Sequence, residues 1–170
     1  SYQADRNQTV GLDFNLLSAD NKWNGTLFLH HSFDEVKLKK AYATGAYLNY
    51  SSLNWDWKIS SQHIGAGYNP EVGFVRRTDF RQLASTIQYN YFPKLGKVQS
   101  HGPGFDFDIL GRQNIGFLDW DINLLYRVRF NNTSSLNFRL RRQYTKLTFN
   151  FDPSLSGQTI KATEANVFNS

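Results

Sequence analysis

The stretch Trp120-Asp121-Ile122-Asn123-Leu124-Leu125-Tyr126-Arg127-Val128-Arg129-Phe130 decides the fold. Trp120, Ile122, Leu124, Tyr126, Val128 and Phe130 recur at every second position, with Asp121, Asn123, Arg127 and Arg129 between them. A period of two belongs to a β-strand with one apolar and one polar face; a helix repeats at 3.6.

Working outward, the same alternation fills most of the chain. Val10, Leu12, Phe14 and Leu16 alternate with Gly11, Asp13 and Asn15. Trp23, Leu27, Leu29 and Phe33 oppose Asn24, Thr26, His30 and Ser32, with Phe28 as an exception. Tyr42, Ala46, Leu48 and Tyr50 form a third row, and Leu53, Trp55, Trp57 and Ile59 a fourth. Leu83, Ile87, Tyr89 and Tyr91 form the fifth; a short sixth sets Phe105, Phe107 and Ile109 against Asp106 and Asp108. The eighth begins Leu136, Phe138, Leu140 against Asn137, Arg139 and Arg141, then resumes out of phase at Leu147, Phe149 and Phe151. A bulge near Arg142 to Tyr144 is expected to absorb that slip.

Segments 10–18, 22–33, 40–51, 53–63, 80–92 and 118–130 exceed the usual five or six residues of a soluble strand and reach the ~9–11 needed to cross a bilayer at a tilt. Trp23 and Phe33, Tyr42 and Tyr50, and Trp120 and Phe130 lie near segment ends, where interfacial girdles of aromatics are expected. The links at Asp20–Asn21, Ser51–Ser52 and Asn131–Ser135 are tight, whereas Asp34–Lys39 and Ile64–Asp79 are long, the rim asymmetry of outer-membrane barrels. Pro93 to Gly104 breaks the rule, since parity calls for a short turn there. The expectation is all-β: an antiparallel up-and-down transmembrane β-barrel, about eight strands in this chain and part of a larger barrel. Residues 1–170 form a single barrel segment, with 152–170 a long loop or poorly ordered tail.

Composition fits. Aromatics make up 16 % of the 170 residues, charged residues 19 %, and the mean hydropathy is −0.53. Half-polar barrel strands average to soluble-looking values. The chain has no Cys, which removes disulfides, thiol nucleophiles and cysteine-ligated metals. It has no Met, which fits a processed chain or a fragment.

The polar rows of neighbouring segments bring Asp106, Asp108, Asp121, Arg127, Arg129, Arg139 and Arg141 to one lumen-facing network. One reading is an anion-attracting wall. The plainer one, preferred from sequence because acids and bases are mixed there, is mutual neutralisation. Trp55, Trp57, Trp120, Ile122, Leu124, Tyr126, Val128 and Phe130 are the expected lipid-facing set. Basic residues and aromatics lie on opposite faces, which disfavours a nucleic-acid groove. His30 and His31 point to opposite faces, His63 stands alone, and His101 is expected in a Gly-Pro-Gly turn, so no metal site is expected. No Gly-x-Ser-x-Gly occurs, and arginines beside Asp106 and Asp108 keep both ionised, so neither catalysis nor a cofactor is expected.

Tyr68-Asn69-Pro70-Glu71-Val72-Gly73-Phe74-Val75-Arg76-Arg77 carries a resemblance. With Gly11-Leu12-Asp13-Phe14, Asp20-Asn21-Lys22-Trp23, His101-Gly102-Pro103-Gly104, Asn132-Thr133-Ser134-Ser135-Leu136 and Phe151-Asp152-Pro153, it covers most of residues 8–153. The chain resembles the C-terminal outer-membrane barrel domain, of unknown function, of Bacteroidota proteins with an N-terminal family 9 carbohydrate-binding-module-like domain. The resemblance implies an outer-membrane location in a Gram-negative cell, a much longer protein, and no catalytic residues to carry over. The chain departs from it in lacking the N-terminal domain and a terminal strand closing on an aromatic residue.

The functional expectation is a membrane-embedded scaffold or conduit in a surface glycan-related or envelope-assembly system. Its partners would be outer-membrane lipid, the remainder of its own chain and other outer-membrane or lipoprotein subunits, without nucleic acid. The alternatives are a soluble eight-stranded barrel binding an apolar ligand, and a glycan-active surface hydrolase acting through a domain absent here.

Overall fold

A computed structural model describes residues 7–33, 39–70, 77–146 and 164–169. Nine antiparallel strands follow one another in a single meander: β1 (Gln8–Leu17), β2 (Trp23–Phe33), β3 (Tyr42–Ser51), β4 (Trp55–Ile64), β5 (Phe80–Tyr89), β6 (Val98–Arg112), β7 (Gly116–Phe130), β8 (Ser135–Lys146) and β9 (Glu164–Asn169). Each pairs only with its neighbours in sequence, so among the described residues the sheet is one open layer with β1 and β9 at its edges.

β1 to β8 hold 10 to 15 residues each. The tight links 18–22, 52–54, 90–97 and 131–134 gather at one end, the turn rim. The connections 34–41, 65–79, 113–115 and 147–163 leave from the other, the loop rim.

Three expectations change. First, β6 starts at Val98, well before Phe105. His101-Gly102-Pro103-Gly104 is therefore strand and not turn, pairing with Val128, Arg127, Tyr126 and Leu125. A proline has no N–H to give a ladder, and the structure handles this locally. β5–β6 pairing ends at Gln88↔Gly104, and the buried Gln88 amide Nε2 donates to the carbonyls of Gly102 (3.3 Å) and Pro103 (3.1 Å). Gly102 is required because a Cβ there would run into the Tyr89 carbonyl oxygen. The long link of the sequence reading shrinks to a short one, and the parity problem disappears.

Second, β8 pairs with β7 without interruption from Ser135 to Thr145, so no bulge lies near Arg142 to Tyr144. Arg142 instead keeps the apolar phase by lying over the Trp120 ring, 5.7 Å from its centroid, while Tyr144 stacks on the same ring at 5.9 Å. The irregularities fall in the β6–β7 pair, one between Val98 and Ser100 and one between Leu110 and Gly111. Residues 147–151 lie outside the described residues.

Third, Glu164–Asn169, placed by sequence in a loop-like tail, pairs with Arg141–Lys146 as β9. Residues 152–163 lie outside the described residues.

The turns are built by local chemistry. Asn21 adopts φ 54°, a left-handed conformation that asparagine tolerates. Asp20 organises this turn: its Oδ1 accepts from the Ser18 hydroxyl (2.6 Å) and the Lys22 N–H (3.2 Å), which holds its carboxyl at about 2. Asn132 Oδ1 likewise accepts from the Ser134 N–H and hydroxyl, beside Thr133 at φ 70°. The Phe28 exception has its own cause. Its ring lies across Gly45 on β3, a cross-strand cover that only glycine leaves room for.

Candidate functional site

The registers sort the side chains into two faces. One holds Leu12, Phe14, Leu27, Leu29, Leu48, Ile59, Leu83, Ile87, Phe105, Phe107, Ile109, Ile122, Leu124, Phe138 and Leu140, which the ladders set side by side from β1 to β8. The expected lipid-facing residues Trp55, Trp57, Trp120, Ile122, Leu124, Tyr126, Val128 and Phe130 all fall on it.

Rings bracket this apolar band at both ends. At the turn rim Trp23 packs on Tyr50 (4.6 Å) and Trp57 (6.0 Å), Trp55 on Tyr89 (4.8 Å), and His101 between Tyr91 (5.3 Å) and Tyr126 (6.1 Å). At the loop rim His31 meets Phe33 (4.6 Å), Tyr42 meets His63 (5.0 Å), and Trp120 meets Tyr144. Tyr50 to Tyr42 and Tyr126 to Trp120 span eight and six residues, so the rows stand roughly 20–26 Å apart along the strands. His31, His63 and His101 thus serve as rim aromatics, whereas His30 lies on the polar face with its Nε2 3.1 Å from Asp13 Oδ1. His63 Nε2 lies 3.2 Å from the Tyr42 hydroxyl and 3.4 Å from Arg81 Nε, and His101 Nδ1 lies 2.8 Å from the Tyr126 hydroxyl. Among the described residues no three His, Cys, Asp or Glu form a group able to hold a metal.

Large apolar side chains stay exposed on one face, while the other buries several polar ones and leaves Thr86, Arg127, Arg129 and Arg139 exposed. On the apolar face Leu12 is 74 % exposed, Leu124 55 % and Phe138 58 %, whereas on the polar face Asn123 is 7 %, Gln88 8 % and Ser32 2 % exposed. Among the described residues one polar side chain is buried on the apolar face, Ser85, and its Oγ accepts from Trp57 Nε1 at 3.3 Å.

The polar face carries the charged residues singled out from sequence, and it separates them. Asn123 Nδ2 donates to Asp106 (2.7 Å) and Asp121 (2.6 Å), Arg141 pairs with Asp121, and Gln82 Nε2 donates to both oxygens of Asp108 (2.8 Å each). These groups occupy the middle and loop-rim half of β5 to β8. Arg127, Arg129 and Arg139 sit toward the turn rim, with no acidic partner among the described residues; Arg127 Nε donates to Asn137 Oδ1 at 3.3 Å. The expected mutual neutralisation holds for Arg141 alone. The signal missed in the sequence is register: it puts Arg139 opposite Leu125, not opposite an acid.

The Tyr68–Phe74 stretch divides. Tyr68, Asn69 and Pro70 are described; Glu71, Val72, Gly73 and Phe74 lie outside the described residues. Tyr68 is buried, as are Ala43 and Ser32 of the polar face. The Asn69 N–H donates to Ser32 Oγ (3.0 Å), and Asn69 O accepts from Asn7 Nδ2 (2.7 Å). This segment therefore folds over the polar face at the loop rim, and burial pushes the Tyr68 phenol above its ordinary pKa.

Compared with known protein families, curated proteins and solved structures, the chain matches none.

Proposed function

We propose that this chain is a membrane-spanning sheet of an outer-membrane β-barrel, its apolar face against lipid and its polar face lining a water-filled lumen, acting as a scaffold or conduit. The observation that carries the reading is the broad row of exposed leucines and phenylalanines on one face, set against the buried Asn123, Gln88 and Ser32 on the other. In water an apolar surface that broad is a liability. In hydrocarbon it is the favourable solvent contact, and the strand hydrogen bonds satisfy the backbone. The two aromatic rows and the 10- to 15-residue strands agree with it. A soluble barrel with an apolar ligand inside needs the opposite burial.

Parity sharpens the proposal. With nine strands among the described residues, β1 and β9 run in the same direction, Gln8 starting at the loop rim and β9 running from the loop rim to Asn169, opposite Arg141 midway along β8. Antiparallel closure then needs an odd number of further strands, because a bilayer leaves no edge unpaired. A second copy in the same orientation offers only a parallel edge. We assign those strands to the rest of a longer polypeptide, as the family resemblance implies. That resemblance also supports the glycan-related or envelope-assembly setting.

Depth-resolved quenching by brominated lipids tests the reading. With Trp23, Trp55, Trp57 and Trp120 at the rims, shallow bromines should quench more than deep ones. Absence of quenching by either would overturn it.

A further inference from the structure

We propose that Arg127, Arg129 and Arg139 form a binding patch for oxyanionic solutes, those bearing phosphate, sulfate or carboxylate groups, at the turn-rim end of the polar face. The proposal rests on the lumen reading for its access to solute.

Among the described residues, every acid near these arginines is either spoken for or distant. Asp106 and Asp121 share Asn123, Asp121 also holds Arg141, and Asp108 is held by Gln82. Asp121 lies six residues from Arg127 along β7, roughly 20 Å. Asp56, at the same rim, is three strands away on β4, roughly 14 Å, and bonds with Ser51 (2.8 Å) and Asn90 (3.4 Å). Three guanidinium groups are therefore left on adjacent strands, Arg139 diagonal to Arg127 and Arg129 two residues further on.

Such a cluster is self-repelling unless a counter-charge joins it. Its other flank is neutral: Arg129 and Arg127 face Ser100 and Gly102 of β6, and the next position toward the loop rim is Gly104. Since Arg127, Arg129 and Arg139 are themselves exposed, a ligand can approach their forks from the polar face. Both glycines are buried, Gly102 against the Tyr89 carbonyl and Gly104 under the Gln88 side chain, so the β6 side of the cluster presents no charge of its own. Guanidinium forks match the planar oxygen edges of carboxylate and phosphate, and low-dielectric walls around a lumen concentrate anions near them.

Isothermal titration of the folded full chain in detergent micelles at low salt, with tripolyphosphate as probe, tests the patch. Binding should weaken about tenfold for each of Arg127→Gln, Arg129→Gln and Arg139→Gln, since each removes one charged hydrogen-bonding group. Asp108→Asn should leave it unchanged. Added salt should weaken binding in the parent. Arg139 is exposed, so R139Q reports even where either of the other two variants fails to fold. Absence of binding by the parent, or equal binding by parent and R139Q, would overturn the patch. Binding by a protein that does not enter bilayers would uphold the patch while refuting the lumen.

Discussion

Replacing Leu124 by arginine tests the assignment of faces. Leu124 sits between Phe105 of β6 and Leu140 of β8 and is 55 % exposed. It lies four residues from Trp120 at the loop rim, about 13 Å along the strand, or about 10 Å into the bilayer after allowing for a ~40° tilt. That depth is inside a hydrocarbon band of about 25 Å but short of its midplane, so the lower part of the 2–4 kcal/mol midplane range applies: Leu124→Arg should cost about 2–3 kcal/mol. On a water-exposed face the same change would stay within about 0.5 kcal/mol. Thr86→Arg is the matched control, because Thr86 lies on the polar face, exposed and opposite Asp106. Asn123 is the wrong control: it is buried and bridges two carboxylates. Urea titration of folding into phosphatidylcholine vesicles gives both values. Equal costs, or a larger cost for Thr86→Arg, would refute the faces.

Three more outcomes are expected. Thr133 is β-branched at φ 70°, so Thr133→Gly should raise stability by about 1 kcal/mol in the same titration, and a loss would show that the turn is not strained. Gly102→Ala should destabilise by about 1–3 kcal/mol, because its new methyl meets backbone that cannot move aside; an unchanged urea midpoint would contradict the close β5–β6 approach. The Asp20 carboxyl is depressed from 3.8 to about 2, so its support of the β1–β2 turn is complete above pH 4 and is lost as pH falls through about 2. A carboxyl 13C titration with its midpoint near the ordinary value would remove that account.

How much was legible follows from which signals are local. Alternation of side chains along one strand is local, so β1 to β5 and β7 could be read from the chain, as could their aromatic ends. β6 was cut short because His101-Gly102-Pro103-Gly104 has the composition of a turn. What keeps it a strand is the Gln88 amide on the neighbouring strand, which no local pattern reveals. Arg142 and Tyr144 suggested a slip, yet the Trp120 ring, twenty-odd residues back, holds both in phase. Charge pairing was the least legible feature. Asp121 and Arg127 share a face in any register, but which arginine meets which acid depends on the β7–β8 offset.

The central claim is that this sheet lives in an outer membrane, and the direct test is where the native protein partitions. The account predicts recovery in the sarkosyl-insoluble outer-membrane fraction, with a gel mobility that shifts on boiling. Recovery as a freely soluble protein without detergent, with no heat shift, would contradict it.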